Sequence, residues 1–186
     1  MKLKLKNVRV AFLKVFKAEA VKGSDKKTFG ATFLIDPKDP QLKAINEAIA
    51  QTAKDKWGAK ADAVLKQMKA ADKLCLHNGD TKAQYDGFEN MMFVSSSTPT
   101  RPLAFDRNKQ PVAEEDGVLY SGCFVNASLE LWAQDNDFGK RINAQLGGVQ
   151  FVKDGDAFGA GSAADEDDFD DLGEGSDAED EDDDLV

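Results

Sequence analysis

The chain has 186 residues, with 34 Asp and Glu against 24 Lys and Arg, but its formal net charge of −10 averages two unlike segments. Sixteen of the acids fall in residues 154–186, which hold no Lys or Arg, so residues 1–153 keep 18 acids beside all 24 basic residues and stand at +6 against −16. This points to one globular domain over 1–153, large enough for a core, and a flexible acidic tail over 154–186; it excludes a membrane-spanning helix, for want of about eighteen consecutive apolar residues, and, with two cysteines, a disulfide scaffold.

Residues 2–16 alternate, with Lys2, Lys4 and Lys6 on one face and Leu3 and Leu5 on the other, before Val8, Val10 and Phe12 take over the apolar side. The phase slips near Lys6 and Asn7, where a β-bulge would keep both halves on one core. A turn at 17–27 leads to a second strand with Phe29, Ala31, Phe33 and Ile35 on one side. Asp39 is placed to cap a helix, with Pro40 at its first position, and Leu42, Ile45, Ile49, Ala53 and Trp57 follow at helical spacing until Gly58. A second amphipathic stretch carries Ala61, Val64, Leu65, Met68 and Leu74.

From Leu74 onward, short extended runs alternate with turn residues, the best strands being 91–97, 120–133 and 140–152. The last two form a long hairpin with Leu129, Leu131, Ile142, Ala144 and Leu146 inward, and Gly147 and Gly148 mark a bend in its second arm. The fold class is therefore mainly β with inserted helices, an OB-fold-like small closed barrel followed by the disordered acidic tail.

Chemistry of several kinds is not expected. Cys75 and Cys123 lie far apart, without CxxC spacing, and read as reduced, buried thiols. The single histidine, His77, cannot build a His-based metal centre and has no nucleophile elbow beside it for a triad; there is also no phosphate-cradling GxxxxGK loop. The acids of the body are scattered in turns, so no catalytic residue, metal ligand or cofactor is assigned and the chain is read as non-enzymatic. The basic, alternating N-terminus is unlike a signal peptide, which places the protein in the cytosol.

A basic body carrying its own polyanion suits a surface for single-stranded nucleic acid, whose unpaired bases stack on aromatic rings and whose phosphates need cations. Three groups mix the two: Lys82, Tyr85 and Phe88; Arg101, Phe105, Arg107 and Lys109; and Trp132, Phe138, Lys140 and Arg141. Trp132 points with Ser128 and Glu130 away from the core and is expected on the binding face, as is Phe138 at the hairpin tip. Tyr85 and Phe88 fit ligand contact or local packing equally. Phe12, Phe29, Phe33, Phe93, Phe124 and Trp57 read as core, and Lys2, Lys4 and Lys6 as the solvated face of an edge strand. In the tail, Phe169, Leu172, Leu185 and Val186 interrupt the acids, as in segments that dock on a basic, partly apolar groove of a partner, and a free acidic arm beside an exposed strand edge allows a homodimer.

The runs NASLELWAQD at 126–135, GKRIN at 139–143 and GVQFVKDGDAF at 148–158, with KWG at 56–58 and LKNV at 5–8, resemble a bacteriophage and prophage family of single-stranded-DNA-binding proteins, similar to the replication proteins of podoviruses with acidic C-terminal tails. The resemblance covers the whole body. It implies an OB-fold barrel, sequence-independent binding of single strands in the host bacterial cytoplasm, and a tail, ending Asp182, Asp183, Asp184, Leu185 and Val186, that contacts phage replication or recombination enzymes. Related tails often finish in an aromatic residue, and this one does not. Two other readings fit the same residues: a strand-annealing recombination mediator, and an acidic DNA mimic that sequesters a basic partner.

Overall fold

The computed structural model describes residues 1–20 and 25–159; the acidic run from 160 onward, including the expected partner contacts at Asp182 to Val186, lies outside the described residues. Seven strands and two helices follow in order: β1 (Lys2–Ala20), β2 (Lys27–Ile35), α1 (Gln41–Trp57), α2 (Ala61–Ala70), β3 (Leu76–Asn78), β4 (Met92–Thr98), β5 (Leu103–Phe105), β6 (Phe124–Asn136) and β7 (Gly139–Lys153). Five of them close on themselves in the order β1, β2, β4, β7, β6 and back to β1, the ring being closed between β4 and β7 by the parallel pairing of Ser97 with Gln145. This is the expected OB-type barrel. Beyond the ring, β3 pairs with β4, and β5 runs parallel to β7 from Leu103 opposite Gly148 to Phe105 opposite Gln150.

The strand β1 serves two neighbours because it is bent twice. Its register against β6 slips between Leu5 and Val8, where Asn7 takes a φ of 50°, so Leu3, Leu5, Val8 and Val10 all enter one core. A second slip against β2 lies between Ala11 and Lys14, where Phe12 has a φ of 48°. That slip overturns the reading of Phe12 as core: the phase changes again, Val15 goes inside, and Phe12 is turned out to 38 % exposure. Phe33 and Phe93 are buried as expected, whereas Phe29 and Phe124 are only half-buried.

At the start of α1, Pro40 already has helical dihedrals, and the Asp39 carboxylate accepts the Gln41 N–H at 2.8 Å, so Asp39 is the cap. The helix lays Ile45, Ile49 and Ala53 on the core beside β6 and β1, and α2 adds Ala61, Val64 and Met68. Both cysteines are buried free thiols, and burial pushes Cys75 up to about 12, which keeps it protonated and inert. No helix among the described residues is long and apolar enough to cross a membrane.

A smaller cluster, Ala11, Leu34, Phe88 and Phe93, sits on the outside of β1, β2 and β4 beneath residues 79–91, which is why 31–35 is buried on both faces. The first residues after β7 are built onto the body. The Tyr120 hydroxyl donates to Asp154 at 2.8 Å and accepts from the Gly155 N–H at 3.2 Å, Arg9 donates to the Asp156 carbonyl at 2.7 Å, and the Phe158 N–H reaches the Ser121 carbonyl at 2.9 Å. Residues 154–159 thus form a strap, closed by the Phe158 ring against Gly87 and by the Gly159 N–H on Asp86.

Candidate nucleic-acid interface

The β6–β7 hairpin keeps period two from Leu129 to Leu146, and the register slip at Gly147 restores the same facing beyond it, so the residues between its core positions form an outer face that passes from Trp132 to Ser128. Trp132 is 45 % exposed there, opposite Asn143, with Gln134 opposite Arg141. The tip is tighter than the sequence suggests: only Asp137 and Phe138 lie between the paired Asn136 and Gly139. The Asn136 side chain accepts the Phe138 N–H at 3.0 Å, and Gly139, at a φ of 99°, takes a conformation that a Cβ would strain. Phe138 is left 85 % exposed.

The hairpin is pinned just below its tip. The Trp57 indole donates to Asp135 at 2.8 Å, and the Lys140 ammonium reaches both oxygens of the same carboxylate at 2.8 Å. These two bonds, Lys140 foremost, hold the Asp135 carboxyl below the usual aspartate range. Lys140, expected to meet phosphate, is paired with Asp135 in this structure and remains half exposed. Arg141 beside it is exposed and makes no ion pair among the described residues.

The group from residues 82–88 separates into two roles. Phe88 is 1 % exposed, wedged between Leu34 and Phe93, and has no face to offer a base, so it is corrected to a packing residue. Tyr85 stays 45 % exposed and meets Phe12 edge to face with centroids 5.1 Å apart. The Lys82 ammonium lies 5.8 Å from the Phe12 ring and 5.0 Å from that of Phe93. Phe12 is thus a surface aromatic that the alternation of Val8 and Val10 hid; Val15, out of phase with both, is the signal that could have exposed it.

These two groups are joined across β4. Phe93 stacks on His77 at 4.9 Å, with His77 tied to Asp72 at 2.7 Å, and the small side chains of Ser95 and Ser97 follow along the strand. Between β4 and β7 they line a groove of about 200 Å³ with Lys73, His77, Arg141 and Asn143. The result is one strip: Phe12 and Tyr85, Lys82, a low polar floor, then Lys73 and Arg141, then Trp132 and Phe138. Rings at both ends and cations between them match what a single strand presents.

The group Arg101, Phe105, Arg107 and Lys109 does not join this strip. It lies before, on and after β5, and in the turn that follows the strand the Asp106 carboxylate accepts the N–H groups of Asn108 and Gln110 and holds Arg107 and Lys109 outward. Phe105 is half-buried and lines a larger groove of about 500 Å³ whose opposite wall is Lys2, Lys4 and Lys6. No group of three His, Cys, Asp or Glu side chains among the described residues is arranged to hold a metal.

Comparison with known proteins agrees with this geometry. The family model described as Enterobacter phage Enc34, ssDNA-binding protein matches residues 1–186. Protein p50 of Acyrthosiphon pisum secondary endosymbiont phage 1 is 41 % identical over 175 residues, covering 92 % of this chain and 94 % of that one. The single-stranded DNA-binding protein from bacteriophage Enc34, solved in complex with ssDNA, superimposes with a TM-score of 0.73 at 25 % identity over 85 % of this chain and 89 % of its own. The fold also matches gp2.5 of bacteriophage T7, a single-stranded DNA-binding protein, with a TM-score of 0.57 at 12 % identity, covering 95 % of this chain and 99 % of that one. A barrel of this topology with a family match along its entire length makes the chain a member of the Enterobacter phage Enc34 ssDNA-binding protein family.

Proposed function

We propose that the protein binds single-stranded DNA without sequence preference during phage DNA replication or recombination in the host bacterial cytoplasm. It does so without catalysis, and its acidic tail competes with DNA and recruits replication or recombination enzymes. The observation that carries this reading is the strip of exposed rings, Trp132 and Tyr85 at 45 %, Phe138 at 85 % and Phe12 at 38 %, interleaved with Lys82, Lys73 and Arg141. Stacking is indifferent to base identity because every base has a π face, and the cations meet phosphate whatever the sequence. For the tail, support comes from charge: sixteen acids follow a body of opposite sign, tethered at an effective concentration of order millimolar.

The test is a titration with oligothymidylate at several salt concentrations, read by tryptophan emission. Trp132 stacking quenches the emission, and Trp132→Ala, read by gel mobility shift, weakens binding by about 5- to 150-fold, the equivalent of about 1–3 kcal/mol per stacked base, without altering the salt dependence. A chain ended after Gly159 keeps the strap, loses the competitor and binds more tightly. No quenching even in dilute buffer, with and without residues 160–186, refutes the proposal.

A further inference from the structure

The outer face of the hairpin does not end at Trp132. Four residues back along β6, about 13 Å along the ribbon, Ser128 lies opposite Gly148, and here the 500 Å³ groove opens. One wall carries Lys2, Lys4 and Lys6, all exposed and none in an ion pair among the described residues. The other is β5, with Leu103 62 % exposed and Phe105 beside it. The floor is bare backbone: Gly147 is the residue left over where the β6–β7 register slips, and a Cβ on Gly148 would stand 2.9 Å from the Leu103 carbonyl oxygen. Glu130, opposite Lys2, is the one carboxylate in the lining.

The lysines are held in place. Their strand pairs with β6 on one side, and on the other the Gln41 amide clasps the Lys6 backbone, accepting its N–H at 2.7 Å and donating to its carbonyl at 2.9 Å. Alternate residues of a strand stand about 6.6 Å apart, so the three ammonium groups form a comb beside a flat, partly apolar channel. Such a comb suits a phosphate chain, and the channel is continuous with the strip at Trp132 through Glu130 and Gln145.

We propose that this groove is a second segment of the single-strand site, receiving the nucleotides that follow those stacked at Trp132. Lys2, Lys4 and Lys6 neutralise phosphates, and Leu103 and Phe105 bear on sugar or base. This rests on the reading of Trp132 as a stacking residue, and it gives the N-terminal lysines a binding role in place of the solvated face that their alternation suggests.

The full chain carrying Lys2→Gln, Lys4→Gln and Lys6→Gln is compared with the parent on oligothymidylates of about 4 and about 16 nucleotides, the span of OB-fold site sizes. Affinity for the long strand falls, and the slope of log affinity on log salt shrinks by about 2, at about 0.7 per lost phosphate contact. For the short strand that quenches Trp132, affinity and slope change little. Quenching by both persists, so the outcome is separable from failure of the stacking site itself. A control triple on the helical segment, Lys54→Gln on α1, Lys60→Gln in the link and Lys66→Gln on α2, leaves both values near the parent. Should the first triple not fold, Lys4→Gln alone lowers the slope by about 0.7. An unchanged slope on the long strand, or an equal loss from the helix triple, overturns the proposal. Tighter binding by the lysine triple also overturns it, because the groove would then be holding the chain's own acids.

Discussion

Phe158 offers a sharp test of whether the strap belongs to the body. Its ring lies against Gly87, so close that a Cβ there would come within 2.6 Å of Cζ, and the Arg9 guanidinium stands 4.3 Å from its centroid. Phe158→Ala removes about 1 kcal/mol of half-buried apolar surface and about 0.5–1 kcal/mol of cation–π attraction. The sum, about 2 kcal/mol, lowers the melting temperature of a domain of this size by about 4–8 °C. The loss is also local, because residues 79–91, which carry Tyr85 and bury Phe88, rest against the same ring. Hydrogen exchange followed by mass spectrometry should therefore speed up in 79–91 and 154–159 while the β6–β7 hairpin keeps its protection. A full drop in melting temperature with unchanged exchange in 79–91 refutes the idea that the strap secures that loop; no drop at all refutes the packing argument.

Two further outcomes follow from contacts elsewhere. Gly148→Ala sets a Cβ against the Leu103 backbone, which cannot swing aside as a side chain can, so it costs about 1–3 kcal/mol, and a thermal melt indistinguishable from the parent's contradicts the close approach of β5. For Asp135 the carboxyl is depressed in the folded chain, so its clamp on Trp57 and Lys140 is complete above the usual aspartate range and is lost as pH falls through the depressed value. In a Trp132→Phe background only Trp57 reports, and its emission shifts to the red in that acid window, or at neutral pH on Asp135→Ala; a shift already complete above the usual aspartate range contradicts the clamp.

Much of the barrel was legible because its signals are local. The alternation from Leu129 to Leu146, the slip at Asn7, the Asp39 and Pro40 start of α1 and the bend at Gly147 each follow from side-chain period or backbone sterics over a few residues, and all were found where expected. Exposure of Trp132 followed from the same period of two. What the sequence hid was long-range. Nothing beside Lys140 reveals that Asp135 and Trp57, 78 residues apart, will meet at its ammonium. Phe88 looks like a loop aromatic until residues 79–91 fold down over Leu34 and Phe93. The grouping of Arg101 to Lys109 was visible as composition, but the lysines that face Phe105 across the groove, Lys2, Lys4 and Lys6, come from the other end of the domain, brought across by β5 pairing with β7 and β1 with β6.

The two bends in β1 have a consequence for how this chain can vary. One continuous stretch of backbone aims its lysine teeth at one channel and its Phe12 ring at another, and the angle between the two is set by how many amino acids separate Asn7 from Phe12. Adding or deleting a single amino acid there would swing one set of side chains to the opposite side of the ribbon. Length changes should be tolerated at the Asp106 turn and the hairpin tip long before they are tolerated between those two kinks.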